Sequence, residues 1–295
     1  MPYGLAAPAA VIALPFAALV LFAGRGLGAR LLAGASAGFA AWWLLGRGDL
    51  PDQTVRAATV MATLVFVALS RRTTWSVTHR ALAALGAAAV GTAVVFLVSG
   101  WSWDRLHWWI EFRTGPALRL LLAATARGAD GTTTVTAYGG GARGFEDAVD
   151  RLVTTSADLF PAAVALQLLA SLVIAAMLAH RVAGEAAGPP PGRLPDFRFS
   201  EHLGWLLVVA VAALLIPPLG GARPAALNVL VVMGALYAVR GVAVVAFALR
   251  ALRAGILLYA AAAVAVLFVL PGVVLLGVID AGMNLRRRLP SASGD

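Results

Sequence analysis

Residues 225–249 read AALNVLVVMGALYAVRGVAVVAFAL, and residues 256–279 read ILLYAAAAVAVLFVLPGVVLLGVI. Between them lies the short basic turn Arg250-Ala-Leu-Arg253, and after them the chain closes through Asp280-Ala-Gly-Met-Asn-Leu-Arg286-Arg287-Arg288. A helix needs about 20 apolar residues to cross hydrocarbon, so each run predicts one membrane helix and the pair predicts a hairpin. Into these runs the sequence sets Asn228, Tyr237, Arg240 and Asp280. A charge near the middle of an apolar helix is costly, which makes Arg240 a functional candidate by default.

Composition extends this reading to the whole chain. Of 295 residues, 61% are hydrophobic and 13% charged, with mean hydropathy +0.87. Soluble domains carry about 25% charged residues, so the chain is an integral membrane protein. Its net charge of +9 comes from 23 basic residues that are all Arg, scattered beside apolar runs. That is the pattern of interfacial loops facing anionic lipid rather than a basic face for nucleic acid. The absence of Cys removes disulfides, thiolate metal sites and cysteine catalysis. The first 24 residues carry no charged side chain, so the first apolar run is expected to be a retained helix and not a cleaved signal. The lack of Lys beside abundant Ala, Gly and Arg resembles the usage of a high-GC bacterial genome.

Eight runs qualify as membrane helices: 5–23, 28–46, 54–70, 81–100, 159–182, 202–218, 225–249 and 256–279. The expected fold is therefore all-α, a single polytopic transmembrane bundle spanning 1–295 with one interfacial amphipathic helix. Gly34-Ala-Ser-Ala-Gly38 and the Ala/Gly-rich run 81–93 are expected to be close-packing faces, and Trp42-Trp43 an interfacial anchor. Residues 101–158 break the pattern. Trp101, Trp103, Trp108 and Trp109 alternate with charges, so 104–127 reads as the interfacial helix, with a re-entrant turn at Gly115-Pro116 as the alternative. A polar Gly/Thr-rich loop follows from 128, then an amphipathic helix over 145–158 with Phe145, Val149, Leu152 and Val153 on its apolar side. Pro189-Pro190-Pro191 makes 183–201 a stiff loop.

The loops at 24–30, 71–80, 181–201 and 250–255 fall on one side and hold ten Arg. The positive-inside rule then places the amino terminus outside, yet eight crossings would put Arg286–Arg288 outside too. The two halves of that argument conflict, so either the helix count is off by one or the last helix has an unusual exit.

The chemical constellations are few. His107 and Glu111 stand four apart, but a zinc site needs three or four ligands and no second cluster supports one. Gly139-Gly140-Gly141 with Gly144 lacks the Lys-Ser/Thr of a phosphate loop. No catalytic residue, metal or cofactor is expected. Helix arithmetic over a continuous 256–279 helix puts Asp280 and Arg240 at different depths, so no pairing between them is expected. Arg240 is expected to face Glu201 or Gln167, and Asp280 to pair at the surface with Arg287.

Four stretches carry a family resemblance. They are Leu159-Phe-Pro161-Ala, Pro195-Asp-Phe-Arg-Phe-Ser-Glu-His-Leu-Gly-Trp205, Asn228 through Leu236-Tyr237-Ala-Val-Arg-Gly241, and Leu276-Gly277-Val-Ile-Asp280 through Asn284-Leu-Arg286. With them the chain resembles the YybS-like family of bacterial polytopic membrane proteins, domain of unknown function 2232. Its N-terminal half is similar to substrate-binding subunits of energy-coupling-factor transporters, which implies transport by analogy and no substrate. Against that family's pattern, Arg240 stands where a neutral polar residue is expected and Asn284 where a second acid is expected.

The expected function is binding or transport of a small solute in the cytoplasmic (inner) membrane, an anion being favoured electrostatically by Arg240. Arg240, Tyr237, Gln167, Asn228 and Glu201 are the substrate-binding candidates. The alternative is a non-transporting scaffold that docks membrane or cytoplasmic protein partners through 183–201 and the Arg-rich carboxyl end. Partners beyond these are the lipid bilayer and no nucleic acid, and an enzyme is not expected.

Overall fold

Twelve helices can be followed in the computed structural model, which describes residues 3–24, 26–126, 141–188, 190, 192–216, 222–252 and 254–288. They are α1 (Tyr3–Ala23), α2 (Leu27–Leu45), α3 (Leu50–Arg72), α4 (Val77–Ser99), α5 (Trp103–Ala126), α6 (Gly141–Asp158), α7 (Phe160–Ala183), α8 (Gly204–Leu215), α9 (Arg223–Ala251), α10 (Ile256–Phe268), α11 (Leu270–Met283) and α12 (Leu285–Arg288). No strand occurs among the described residues. The expected all-α membrane bundle is what forms. Most of the expected loop at 128–144 lies outside the described residues.

Local chemistry sets the helix ends. α3 opens with Pro51 and Asp52 in its first turn and closes on Arg71 and Arg72, each charge complementing the nearby end of the helix dipole. At α4, the Ser76 hydroxyl accepts the His79 N–H, and Gly100 in the left-handed region ends the helix. These caps explain why both helices begin about four residues before their apolar runs. α7 begins after Leu159, which has no capping side chain. Asn228 of α9 supplies the cap from outside: its Oδ1 accepts the Ala162 N–H at 2.7 Å while its Nδ2 donates to the Asp158 and Pro224 carbonyls.

One core joins α1, α2, α3, α4 and α7 around Val11, Val20, Trp43, Phe66 and Leu172. Ala62, Ala81, Ala84, Ala175 and Ala179 are fully buried there, so the small residues of 81–93 do bring helices together. Gly34 and Gly38 do not: both are exposed, and α2 packs on α1 through Ala33 and Ala40 instead. Trp42 is exposed, but Trp43 is buried beneath the Arg56 guanidinium, which donates to the Leu44 and Gly46 carbonyls at the end of α2. Arg56 thereby caps a helix terminus that would otherwise leave buried carbonyls unpaired.

α5 is continuous through Pro116, which sets aside the re-entrant turn. It pairs with α6 through Arg119–Asp150 at 2.9 Å and Glu111–Thr154 at 3.1 Å, and reaches α3 through Arg113–Asp52 at 3.0 Å. His107 lies between Glu111 and Asp158, which spends its polarity on the hairpin. On α6, Val149 and Val153 face inward as expected, whereas Leu152 is half exposed.

A second core forms where the 194–203 segment meets α9 and α11, centred on Phe199, Met233, Leu236 and Tyr237. Here the last expected helix is corrected. Residues 256–279 form not one continuous helix but α10 and α11, broken at Val269 and bent by 101°. Pro271 has no N–H to donate to the preceding turn and disfavours helical geometry just before it, so the helix restarts there. By length and composition, α3, α4, α7 (with its short extension to Ala187) and α9 qualify as membrane spans among the described residues, and the bent pair makes a fifth if counted as one. The remaining expected spans are present as shorter described apolar helices or as the 19-residue α2.

The bend lets α11 lie directly on α9. A Cβ at Gly241 would collide with the Val273 carbonyl, and one at Gly277 with the Tyr237 carbonyl, so the two backbones touch at these glycines. We expect Gly277→Ala to lower the thermal unfolding midpoint in detergent sharply, by the 1–3 kcal/mol or more of an overpacked contact. Gly282→Ala, on the same helix but with open space around it, should leave the midpoint unchanged.

Candidate functional site

Gly241 and Gly277 bring α9 and α11 into contact, and one residue away from the first and three from the second stand Arg240 and Asp280. Arg240 Nε donates to Asp280 Oδ2 at 2.8 Å, and its Nη2 donates to the Asp280 carbonyl at 3.1 Å. The expectation of no pairing is thus corrected. It assumed a continuous final helix running alongside α9. With α10 turned away, Asp280 lies within reach of the Arg240 side chain.

Arg286 completes the arrangement. Asn284 adopts a left-handed conformation (φ 49°), which ends α11 and turns the chain back. Arg286 Nη2 then donates to the same Asp280 Oδ2 at 2.8 Å and to the Phe197 carbonyl at 2.9 Å, while Nη1 donates to the Pro195 carbonyl. The partner of Asp280 beyond Arg240 is therefore Arg286, not Arg287, and the contact is buried. Phe199 lies 5.4 Å from the Arg240 guanidinium, close enough for a cation–π contact.

The cluster is buried, and its three side chains together carry a net charge of +1. Arg240, Asp280 and Arg286 are 2%, 1% and 6% exposed. Arg240 Nη1, Arg286 Nε and Asp280 Oδ1 have no hydrogen-bond partner among the described residues. Such a cluster ties together α9, α11, α12 and the 195–199 segment, a positioning role in which removing one member strands the others' charges.

The five substrate-binding candidates do not converge. Tyr237 belongs to the second core, edge-on against Phe199, and Arg240 lies against the same Phe199 ring. Glu201 is exposed ahead of α8, Gln167 is half-buried on α7, and Asn228 is occupied in capping α7. Four cavities formed by described residues were traced, and none is lined by any of the five.

The largest of these cavities, about 660 Å³, lies between α3, α4, α5 and α7. Thr54, Ala88, Thr92, Phe96, Trp101, Trp103, Phe160 and Leu168 are among its walls. The Thr92 hydroxyl is buried without a partner among the described residues. These wall residues went unrecognised as a site because they sit on four separate helices, each reading as ordinary apolar sequence. The Trp101–Trp103 pair was the visible signal, and it pointed only to an interface.

A family model matches residues 6–281 under the description "Predicted membrane protein (DUF2232)". The chain belongs to that family. No curated protein and no solved structure matches it. For this DUF2232 member, the resembling motifs now have a physical content: the Tyr237–Gly241 and Gly277–Asp280 stretches are the two sides of one helix contact and its buried ion cluster.

Replacing the acid alone should be the most damaging change. Asp280→Asn leaves two guanidiniums without a carboxylate and should cost about 3–5 kcal/mol of stability, read as a lost or much lowered unfolding midpoint. Replacing all three members together with Leu or Met should recover most of that loss.

Proposed function

We propose that this protein is a non-enzymatic, multi-pass protein of the cytoplasmic membrane that binds, and passes on, a small apolar molecule carrying one hydrogen-bonding group. The observation behind this reading is the 660 Å³ chamber between α3, α4, α5 and α7. Its volume falls in the range of small-molecule sites, about 300–1,000 Å³, and its composition fits their usual form of apolar and aromatic walls with few polar groups. Thr54 donates to the Leu50 carbonyl, and the Thr92 hydroxyl is unpaired among the described residues but sealed within the wall, so a bound molecule reaches it only if that wall shifts slightly. The solute class therefore shifts from the anion expected at Arg240 to an apolar compound, and Arg240 is assigned to the fold. Val94 and Leu97 of α4 are exposed near the chamber, Leu97 forming part of its wall, which supports entry from the hydrocarbon side.

The competing reading is a scaffold. Its expected docking elements are engaged only in part: Phe199 is buried in the second core and Arg286 in the ion cluster, while most described residues of 183–201 are exposed. What favours it is α10, where Ile256, Leu257, Leu267 and Phe268 are each more than three-quarters exposed.

Mass spectrometry of small molecules co-purifying with the protein tests the proposal. Wild type should retain a discrete apolar species, and Ala93→Phe, which fills the chamber wall, should lose it. Thr92→Val should retain about fivefold less, the worth of one net hydrogen bond near 1 kcal/mol. Identical profiles for all three proteins would overturn the reading.

A further inference from the structure

A second cavity, about 500 Å³, lies on another face, between α7, α9, the first turn of α4 and the 192–198 segment. Its walls differ sharply from end to end. Leu166, Leu169, Val173 and Leu236 form an apolar slot, while Arg193, Asp196 and Arg198 stand at the segment that closes it, beside Ser76 and Thr78. Ile174, Met177 and Val239 line the slot and are about 40% exposed, so its flank opens sideways along apolar helix surface.

We infer that this cavity is a binding site for an anionic phospholipid, with an acyl chain in the slot and the phosphate between Arg193 and Arg198. Charge sets the class of head group: two arginines and one aspartate line the mouth, and α4 has no acidic residue in its first turn. Guanidinium groups pair with phosphate oxygens in a fork geometry that suits such a head group. The sideways opening sets the source, because a bilayer lipid enters from the hydrocarbon and a free phosphate gains nothing from an apolar slot. The 192–198 segment is itself held by Arg286 through the Pro195 and Phe197 carbonyls, so the ion cluster fixes the position of the head-group arginines. This inference stands apart from the chamber between α3, α4, α5 and α7 and does not depend on it.

Native mass spectrometry of the detergent-solubilised protein, titrated with phosphatidylglycerol or phosphatidylcholine, is the test. Wild type should hold phosphatidylglycerol preferentially. The double variant Arg193→Gln/Arg198→Gln should bind it roughly 30-fold more weakly, about fivefold for each arginine lost near a lipid surface. Ala170→Phe, which fills the slot, should lose both lipids, and inorganic phosphate should not displace the adduct. Equal retention of the two lipids, an unchanged affinity in the double variant, or displacement by inorganic phosphate would each overturn the assignment.

Discussion

Asp280 is the single carboxylate on which the carboxyl-terminal half of the protein is assembled. Both Arg240 and Arg286 donate to one of its oxygens at 2.8 Å, in surroundings closed to water. Charges removed from water lose several kcal/mol of solvation each, and only close, hydrogen-bonded partners offset that loss. The cluster therefore acts less as a reserve of stability than as a condition on geometry. α9, α11, the returning carboxyl-terminal turn and the 195–199 segment must all be in place together, because any arrangement that separates them strands a buried charge.

Two backbone features make that geometry reachable. Gly241 and Gly277 remove the side chains that would hold α9 and α11 apart, and the break ahead of Pro271 frees α11 from the direction of α10. The orientation expected from the sequence rests on eight straight crossings. Eight straight crossings would carry Arg286–Arg288 to the face opposite the 181–201 loop. In the folded chain Arg286 is hydrogen-bonded to Pro195 and Phe197 of that very loop, so the basic carboxyl-terminal stretch and the basic loop sit together.

Much of the fold was legible in the sequence, and the residues that were misread share one cause. Among the described residues the expected apolar runs are almost entirely helix, because length and hydropathy act locally and need no knowledge of neighbours. Leu270-Pro271-Gly272 was the available sign that 256–279 is broken, and treating the run as continuous led directly to the wrong depth for Asp280. Arg80, counted with the expected 71–80 loop, is buried near the Phe66 ring, and Arg56, at the start of the expected 54–70 helix, is buried over Trp43 at the end of α2. Which residues an arginine meets is decided by tertiary packing over tens of residues of separation, and no periodicity encodes it. The chamber between α3, α4, α5 and α7 was invisible for the same reason, since four unremarkable apolar faces become a cavity only when they fail to fill the space between them.

The most direct measurement of the account is a double-mutant cycle between Arg240 and Asp280, using Arg240→Met and Asp280→Leu and reading unfolding free energy in detergent. Contact between the two predicts strong coupling, with the double variant far less destabilised than the sum of the singles, by about 2 kcal/mol or more. Additivity within about 0.5 kcal/mol, as expected of residues held at different depths on a straight hairpin, would contradict it.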